Sequence, residues 1–286
     1  MSSSGQSITT RDVQFQGTPF FGDVTQQTRW QGVILSELSH PRPREVPFHS
    51  HESAYFSLLL RGEYAEGGEP IAPMTVSFLP MGGRHDGLIG PRGAEFFTIE
   101  LAESWLDEIS CARGPDRFEP LLAKKGTVLW AAMRLYTNYC ENRVADSLLV
   151  EEMIAELAGC AARDRESPER QKPGWLTHIA NLLADCSADD LRLNFLSEEA
   201  GVHPVYLERT FRKFFGTTLG VYLHQLRVQR ACELLAAPQY SLADIATQTG
   251  FADQPHFTRV FRRLTGTTPG RFRARLWAAH RKSSVA

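Results

Sequence analysis

Arginine and glutamine side chains recur at matched positions in the last third of the chain, where they could form hydrogen bonds with nucleic acid bases. The segment FRKFFGTTLG at 211–220 is echoed by FRRLTGTTPG at 261–270, 50 positions later. Arg209 and Arg259 precede the two copies by the same two residues, and Gln254 lies shortly before Arg259. Arginine binds guanine through two hydrogen bonds, and glutamine binds adenine in the same way. The repeat therefore indicates two equivalent elements that read double-stranded DNA.

Each copy has the residue pattern of a helix-turn-helix. A short helix with an apolar face is predicted at 194–200 and runs into Gly201, and another at 242–249 runs into Gly250. Glycine adopts the left-handed backbone that ends a helix and opens a tight turn. Ser241 and Asp244 stand at the spacing of a capping box, which predicts the start of the second of these helices.

The second helix of each copy is predicted to have two faces, with Asp253 as the N-cap in the second copy. The buried stripes are predicted to be Leu207, Thr210, Phe211 and Phe214, then Phe257, Val260, Phe261 and Leu264. The start of a recognition helix meets base edges, which favours base contacts there. The base-reading candidates are Arg209, Arg259, Gln254, Glu208 and Val205. Residues further along each helix are predicted to contact phosphate, which adds affinity without sequence choice: Arg212, Lys213, Arg262 and Arg263.

Three histidines in the first hundred residues could bind a divalent metal ion. The two-residue spacing of His49 and His51 places both on one face of a strand. His85 follows a glycine-containing turn. Three imidazoles can hold Zn²⁺, Ni²⁺ or Fe²⁺ and leave one coordination position open. The alternative is that the histidines are hydrogen-bonded within an apolar ligand pocket and bind no metal.

Patterns of apolar residues predict the elements that position these side chains. Short apolar runs at 55–60, 75–79 and 95–101 predict strands of a small antiparallel barrel or sandwich. Gly and Pro clusters that predict chain reversals lie at 61–62, 67–70, 81–83 and 90–93. Helical spacing from Leu129 to Cys140 and from Leu149 to Cys160 predicts two antiparallel helices. These pack on the barrel alone, or also pair with a second copy of the chain.

The charge distribution separates the two ends of the chain. The net charge of the 286 residues is −2, but from Trp175 onward 14 Lys and Arg stand against 9 Asp and Glu. A mildly basic segment beside an acidic one is consistent with a DNA-binding domain attached to another domain. Five widely spaced cysteines without a CxxC pair argue against a disulfide framework or zinc finger. Without an export signal or apolar span, a cytoplasmic protein with no membrane contact is expected.

The segment from about Trp175 to Leu276 resembles the DNA-binding domain of the AraC/XylS family of bacterial transcription regulators. The resemblance is carried by SLADIATQTGFADQPHFTRVFRR at 241–263, followed by GTTP at 266–269 and by Phe272-Arg273. It implies two helix-turn-helix subdomains joined by a long helix, here about Leu219–Leu235, with both recognition helices in successive major grooves. By position, it assigns base reading to Val205, Glu208, Arg209, Gln254, Pro255 and Arg259. His203-Pro204 departs from the family, which usually has a serine cap there.

The histidines resemble the HxH and PxGxxH motifs of cupins, with Tyr55 or a neighbour where metal-binding cupins have a glutamate. The expected fold class is α+β: a cupin-like barrel at 1–115, a helical packing or dimerisation segment at 116–162, a linker at 163–174 and an all-α double helix-turn-helix at 175–286. We expect a transcription regulator, an activator that contacts RNA polymerase, controlled by a small molecule or metal and acting as a homodimer. The alternatives are a regulator whose first domain only dimerises, and a cupin metalloenzyme fused to a DNA-binding domain.

Overall fold

The chain is an α+β protein, in which an antiparallel sheet precedes a series of helices. The structure, a computed structural model, describes residues 20–30, 32–106, 120–123, 126–141, 147–166, 172–185, 193–237 and 239–283. It divides into two compact units, one formed by 1–71 with 77–122 and the other by 72–76 with 123–286. Within the described ranges, no helix combines the length and apolar character needed to cross a bilayer.

Antiparallel pairing joins the strands of the first unit into a sheet of order β1-β2-β7-β4-β6-β8, with β3 on β7 and β5 on β4. The long strand β7 is central because it pairs with β2, β3 and β4 along its length. The antiparallel sheet is thus confirmed, while its closure into a barrel remains a prediction. The strands are β1 (Asp23–Trp30), β2 (Val33–His40), β3 (Arg44–Ser50), β4 (Ala54–Glu66), β5 (Glu69–Ile71), β6 (Thr75–Leu79), β7 (Arg84–Leu101) and β8 (Leu121–Ala123).

Two glycines that were predicted to reverse the chain lie instead inside β4 and β7. Gly62 has a φ of 100° and Gly93 a φ of 66°, and Gly62 pairs with Ala94 where the register of the two strands shifts. A Cβ atom on Gly62 would lie 2.2 Å from the carbonyl oxygen of Gly93. The predicted turns at 61–62 and 90–93 are therefore wrong, because these glycines allow a bulge and a close backbone approach within continuous strands.

Helices make up most of the second unit and agree closely with the predicted ones. The predicted linker at 163–174 is shorter than expected, since helix covers 163–166 and the next helix begins at Gly174; residues 167–171 lie outside the described part. The helices are α1 (Thr127–Cys140), α2 (Ser147–Glu166), α3 (Gly174–Asp185), α4 (Leu193–Ala200), α5 (Pro204–Phe215), α6 (Leu219–Leu235), α7 (Leu242–Gln248), α8 (Gln254–Thr265) and α9 (Pro269–Ser283).

Both predicted helix-turn-helix patterns are present, as α4-α5 and α7-α8. The turns contain Gly201 with a φ of 64° and Gly250 with a φ of 75°, as expected for residues in the left-handed region. Ser241 and Asp244 form the predicted capping box at the start of α7. The long helix α6 connects the two helix-turn-helix copies and has the predicted bounds.

The C-terminal end of α1 contacts the helices of the second repeat copy. Glu141, which follows α1, accepts a hydrogen bond from the Thr267 hydroxyl at 3.4 Å and lies 3.4 Å from the Arg271 guanidinium. Tyr136 and Phe272 meet edge to face, with ring centroids 6.5 Å apart. The segment predicted as a separate packing element is therefore part of the same compact unit as the last third.

Candidate functional site

Helix α5 presents a polar face opposite a buried apolar stripe. Leu207, Thr210 and Phe211 are buried, and they pack in a core with residues of α3, α4 and α6. Phe214, also predicted to belong to this stripe, is half-buried. The candidate base-reading residues lie on the other face: Val205 and Arg209 are exposed and Glu208 is half-buried.

Helix α8 repeats this arrangement in the second copy. Its buried residues are Phe257, Val260, Phe261 and Thr265, whereas Leu264 is half-buried. Gln254, Pro255 and Arg259 are exposed. Within the described residues, neither Arg259 nor its counterpart Arg209 is held by an ion pair or hydrogen bond. Both guanidinium groups are therefore available to bind a base edge.

The two recognition-type helices differ in how their N-termini are capped. Asp253 caps α8, because its carboxylate accepts a hydrogen bond of 2.5 Å from the backbone N–H of His256. In α5 this role falls to His203, whose Nδ1 accepts from the backbone N–H of Val205 at 3.3 Å. To accept this bond, the Nδ1 atom must carry no proton. The predicted departure at His203-Pro204 thus replaces the cap without removing it.

We expect Asp253→Ala to destabilise the last helix-turn-helix by about 1 kcal/mol, because the backbone N–H of His256 at the start of α8 loses its acceptor. Urea unfolding of the full chain would measure this loss. Asp253→Asn is the matched control, since asparagine caps helices as well as aspartate does. A loss of equal size in both variants would mean that the charge, and not the cap, stabilises this helix.

The candidate phosphate contacts lie in the last turns of the same helices. Arg212, Lys213, Arg262 and Arg263 are all exposed. Glycines in the left-handed conformation end these helices, with φ values of 67° at Gly216 and 83° at Gly266. Each recognition-type helix thus has its base-reading candidates nearer the N-terminus and its basic side chains in the last turn. This order is consistent with a helix whose first turns lie in a groove and whose last turn approaches the DNA backbone.

A second candidate site lies in the sheet, where the three predicted histidines come together. His49 on β3 is directly opposite His85 on β7, and His51 follows β3. The Nε2 atom of His51 lies 2.9 Å from Nε2 of His49 and 3.1 Å from Nε2 of His85. Two nitrogens bound to one tetrahedral zinc ion at about 2.0–2.1 Å would lie about 3.3 Å apart, and the ligand atoms of the three histidines all lie within 4.8 Å of one another. The spacing of the imidazoles therefore fits three ligands of a single ion.

In two of the three rings, the Nδ1 atom lies close to an oxygen atom. Nδ1 of His49 lies 2.7 Å from the carbonyl oxygen of Pro47, so it must donate and leave Nε2 without a proton in the neutral ring. Nδ1 of His85 lies 3.0 Å from the carboxylate of Glu66. Metal-binding histidines characteristically donate their second N–H to a carbonyl or carboxylate. Sequence reasoning missed Pro47 and Glu66, and no motif identifies either residue.

Burial favours the neutral forms of His51 and Tyr55 in this site. Burial and, secondarily, the neighbouring His49 and His85 lower the pKa of His51 to about 4, so its ring is neutral at physiological pH. The Tyr55 hydroxyl lies 3.1 Å from Nε2 of His85, and burial raises the pKa of Tyr55 far above its usual value. Tyr55, expected where cupins place a glutamate, is therefore a neutral hydroxyl beside the cluster.

A cavity of about 500 Å³ adjoins the histidine cluster within the first unit. His85 and Glu66 form part of its wall, together with Phe48, Arg84, Asp86 and Leu122. This volume falls within the range of small-molecule sites, about 300–1,000 Å³. Both charged and apolar side chains face it, so it could hold a small polar ligand.

Comparisons with known proteins concern mainly the helical part of the chain. A family model described as a helix-turn-helix domain matches residues 196–275. The probable transcription factor PqrA of Proteus vulgaris is 34% identical over 85 residues, which are 30% of this chain and 70% of that protein. The bifunctional transcriptional activator/DNA repair enzyme AdaA of Bacillus subtilis is 32% identical over 114 residues, which are 40% of this chain and 53% of AdaA.

Another relative matches over a longer segment. The HTH-type transcriptional activator RhaR of Klebsiella pneumoniae is 32% identical over 145 residues, 49% of this chain and 52% of that protein. The chain thus spans about half the length of both RhaR and AdaA.

Proposed function

The chain belongs to the AraC/XylS family of transcription regulators, and we propose that it binds double-stranded DNA through both helix-turn-helix units to regulate transcription. One observation carries this proposal. Helices α5 and α8 bury equivalent stripes and leave Arg209 and Arg259 exposed at matched positions of the repeat, without an ion pair or hydrogen bond to any residue that the structure describes. A helix of this kind fits the major groove, where arginine distinguishes guanine from the other bases.

We assign base contacts and phosphate contacts according to the position of each side chain on its helix. Arg209 and Arg259 bind base edges in the two grooves, with further base contacts from Val205, Glu208, Gln254 and Pro255. Phosphate contacts come from Arg212, Lys213, Arg262 and Arg263, which lie further along the helices and supply salt-dependent affinity. In this proposal, residues 175–286 form the DNA-binding domain. The protein acts in the cytoplasm, because the DNA that it binds is chromosomal.

The sheet unit, at about 1–115, is proposed to be the sensor. His49, His51 and His85 would hold one divalent ion, Zn²⁺, Ni²⁺ or Fe²⁺, with Glu66 orienting His85. The adjoining cavity offers room for a small-molecule effector. In this proposal a bound ion or effector changes how strongly the chain binds DNA, and the sheet catalyses no reaction. Support comes from the convergent Nε2 atoms, and from the contacts of Nδ1 of His49 with Pro47 and of Nδ1 of His85 with Glu66.

Relatives named as activators, such as RhaR, suggest that this chain also activates transcription and so contacts RNA polymerase. The helical segment at 116–162 is proposed to pair with a second copy of the chain, since two-fold dimers are the commonest oligomers. The rival function for the sheet is a metalloenzyme. Substrate turnover by the metal-loaded full chain would favour that rival, whereas metal-dependent DNA binding without turnover would favour the sensor.

Selection of bound fragments from the source organism's genomic DNA tests the central proposal. We expect the full chain to enrich a few fragments that share a motif of two half-sites about one helical turn apart, because each recognition helix occupies one major groove. The measurement is sequencing of the recovered fragments, followed by affinity for the motif and for a scrambled version. Enrichment without a shared motif would contradict sequence-specific regulation.

A further inference from the structure

A cluster of cationic side chains joins the connecting helix α6 to the recognition helix α8. The Arg263 guanidinium lies 3.5 Å from Nδ1 of His224, and the rings of His224 and His256 are 5.7 Å apart. Arg227, one turn along α6 from His224, holds its guanidinium over the ring of Phe251, 5.9 Å from its centroid. Two helices thus bring four basic side chains together around one small region.

The side chains that surround His224 are basic. Burial lowers the pKa of His224, and Arg263, His256 and Arg227 lower it further. A bound anion would be attracted by the two arginines and would favour the protonated form of His224. Arg263 is exposed and His224 and Arg227 are half-buried, so an anion could reach all three from solvent.

The cluster continues the face of α8 that carries the base-reading arginine. His256, Arg259 and Arg263 follow one another at spacings of three and four residues, which places them on one side of the helix. A helix in the major groove is flanked by the phosphates of the DNA backbone. An anion site beside Arg259 would therefore meet a phosphate at the edge of the groove that this helix reads.

We propose that His224, Arg227 and Arg263 form a single site for a DNA backbone phosphate, so that the connecting helix α6 is part of the DNA interface. This inference rests on the proposed function, and it adds His224 and Arg227 to the contacts assigned above. The site positions α8 on the duplex without selecting a base, because every nucleotide carries the same phosphate.

The salt dependence of DNA binding by the full chain tests the site. Loss of one phosphate contact lowers the slope of log affinity against log salt by about 0.9. We expect Arg227→Ala to reduce the slope by about this amount and to weaken the selected and the scrambled DNA by the same factor, about 5- to 10-fold at moderate salt. Arg227→Lys should restore most of the slope, since a phosphate contact needs the charge more than the planar fork.

Arg92→Ala is the matched control, because it removes one arginine charge from the sheet unit, where Arg92 pairs with Glu63. If Arg227→Ala has the same slope as Arg92→Ala, the proposed site is wrong. Arg227→Gln, which removes the same charge and keeps more of the side chain, carries the test if Arg227→Ala unfolds. Stabilisation of the unliganded chain by inorganic phosphate, with unchanged DNA slopes, would instead mark a free-phosphate site and also overturn it. A wild-type chain that binds no DNA would contradict the proposed function itself.

Discussion

Replacing both Arg209 and Arg259 by alanine is expected to lower affinity for the selected DNA site by about 30- to 25,000-fold. Each arginine that binds guanine through two hydrogen bonds contributes about 1–3 kcal/mol of discrimination, and contributions from separate half-sites add. The two side chains are exposed, so their removal should leave the fold intact. Affinity for scrambled DNA should fall far less, because it depends on the total number of phosphate contacts.

Competition between the selected and scrambled duplexes at one salt concentration measures this effect. The matched control is Arg212→Ala with Arg262→Ala, which removes the same charge from the same two helices. We expect the control to weaken both duplexes equally and to preserve the preference. If the Arg209 and Arg259 variant behaves like this control, the two arginines contact phosphate and the proposed base reading is wrong.

His51→Ala is expected to weaken binding of a divalent ion to the full chain by more than 100-fold. Loss of a supporting hydrogen bond alone typically costs about 10- to 100-fold in metal affinity, and a lost ligand costs more. His51 is central because its Nε2 lies within 3.1 Å of both other Nε2 atoms. Titration of chelator-treated protein with Zn²⁺ or Ni²⁺ should show one tight ion per chain in the wild type.

Two further variants show whether the cluster is responsible. His178→Ala removes an exposed histidine from α3 and should leave the tight site unchanged. Glu66→Gln should give an intermediate loss of about 10- to 100-fold, since the carboxylate only orients His85. A wild-type chain that binds metal no more tightly than His51→Ala would show that the histidines are a hydrogen-bonded cluster without a metal.

The helix-turn-helix elements were predictable because their signals are local. Gly201 and Gly250 adopt the left-handed turn, and Asp253 provides the cap at the predicted helix start. The buried stripe of α8 follows helical spacing from Phe257 to Phe261. Each of these features depends on residues that lie within about one or two helical turns of one another. The helix-turn-helix pattern also occurs twice in the sequence.

Features that depend on distant parts of the chain were not predictable. Glu66 reaches His85 only because β4 and β7 pair over a long register, and no local pattern encodes that pairing. Gly62 and Gly93 resembled turn residues, although their purpose is a close approach between two strands. Histidine spacing did predict a cluster, since residues two apart on a strand share a face.

The contact between Glu141 and the turn after α8 has a practical consequence for dissecting this protein. A fragment cut at Trp175 would leave Arg271 without its carboxylate and would uncover the ring of Phe272 that Tyr136 meets. Such a fragment would expose an apolar surface close to the second recognition helix, and this surface would favour aggregation. A boundary upstream of Thr127 would retain this partner and give the better-behaved recombinant piece.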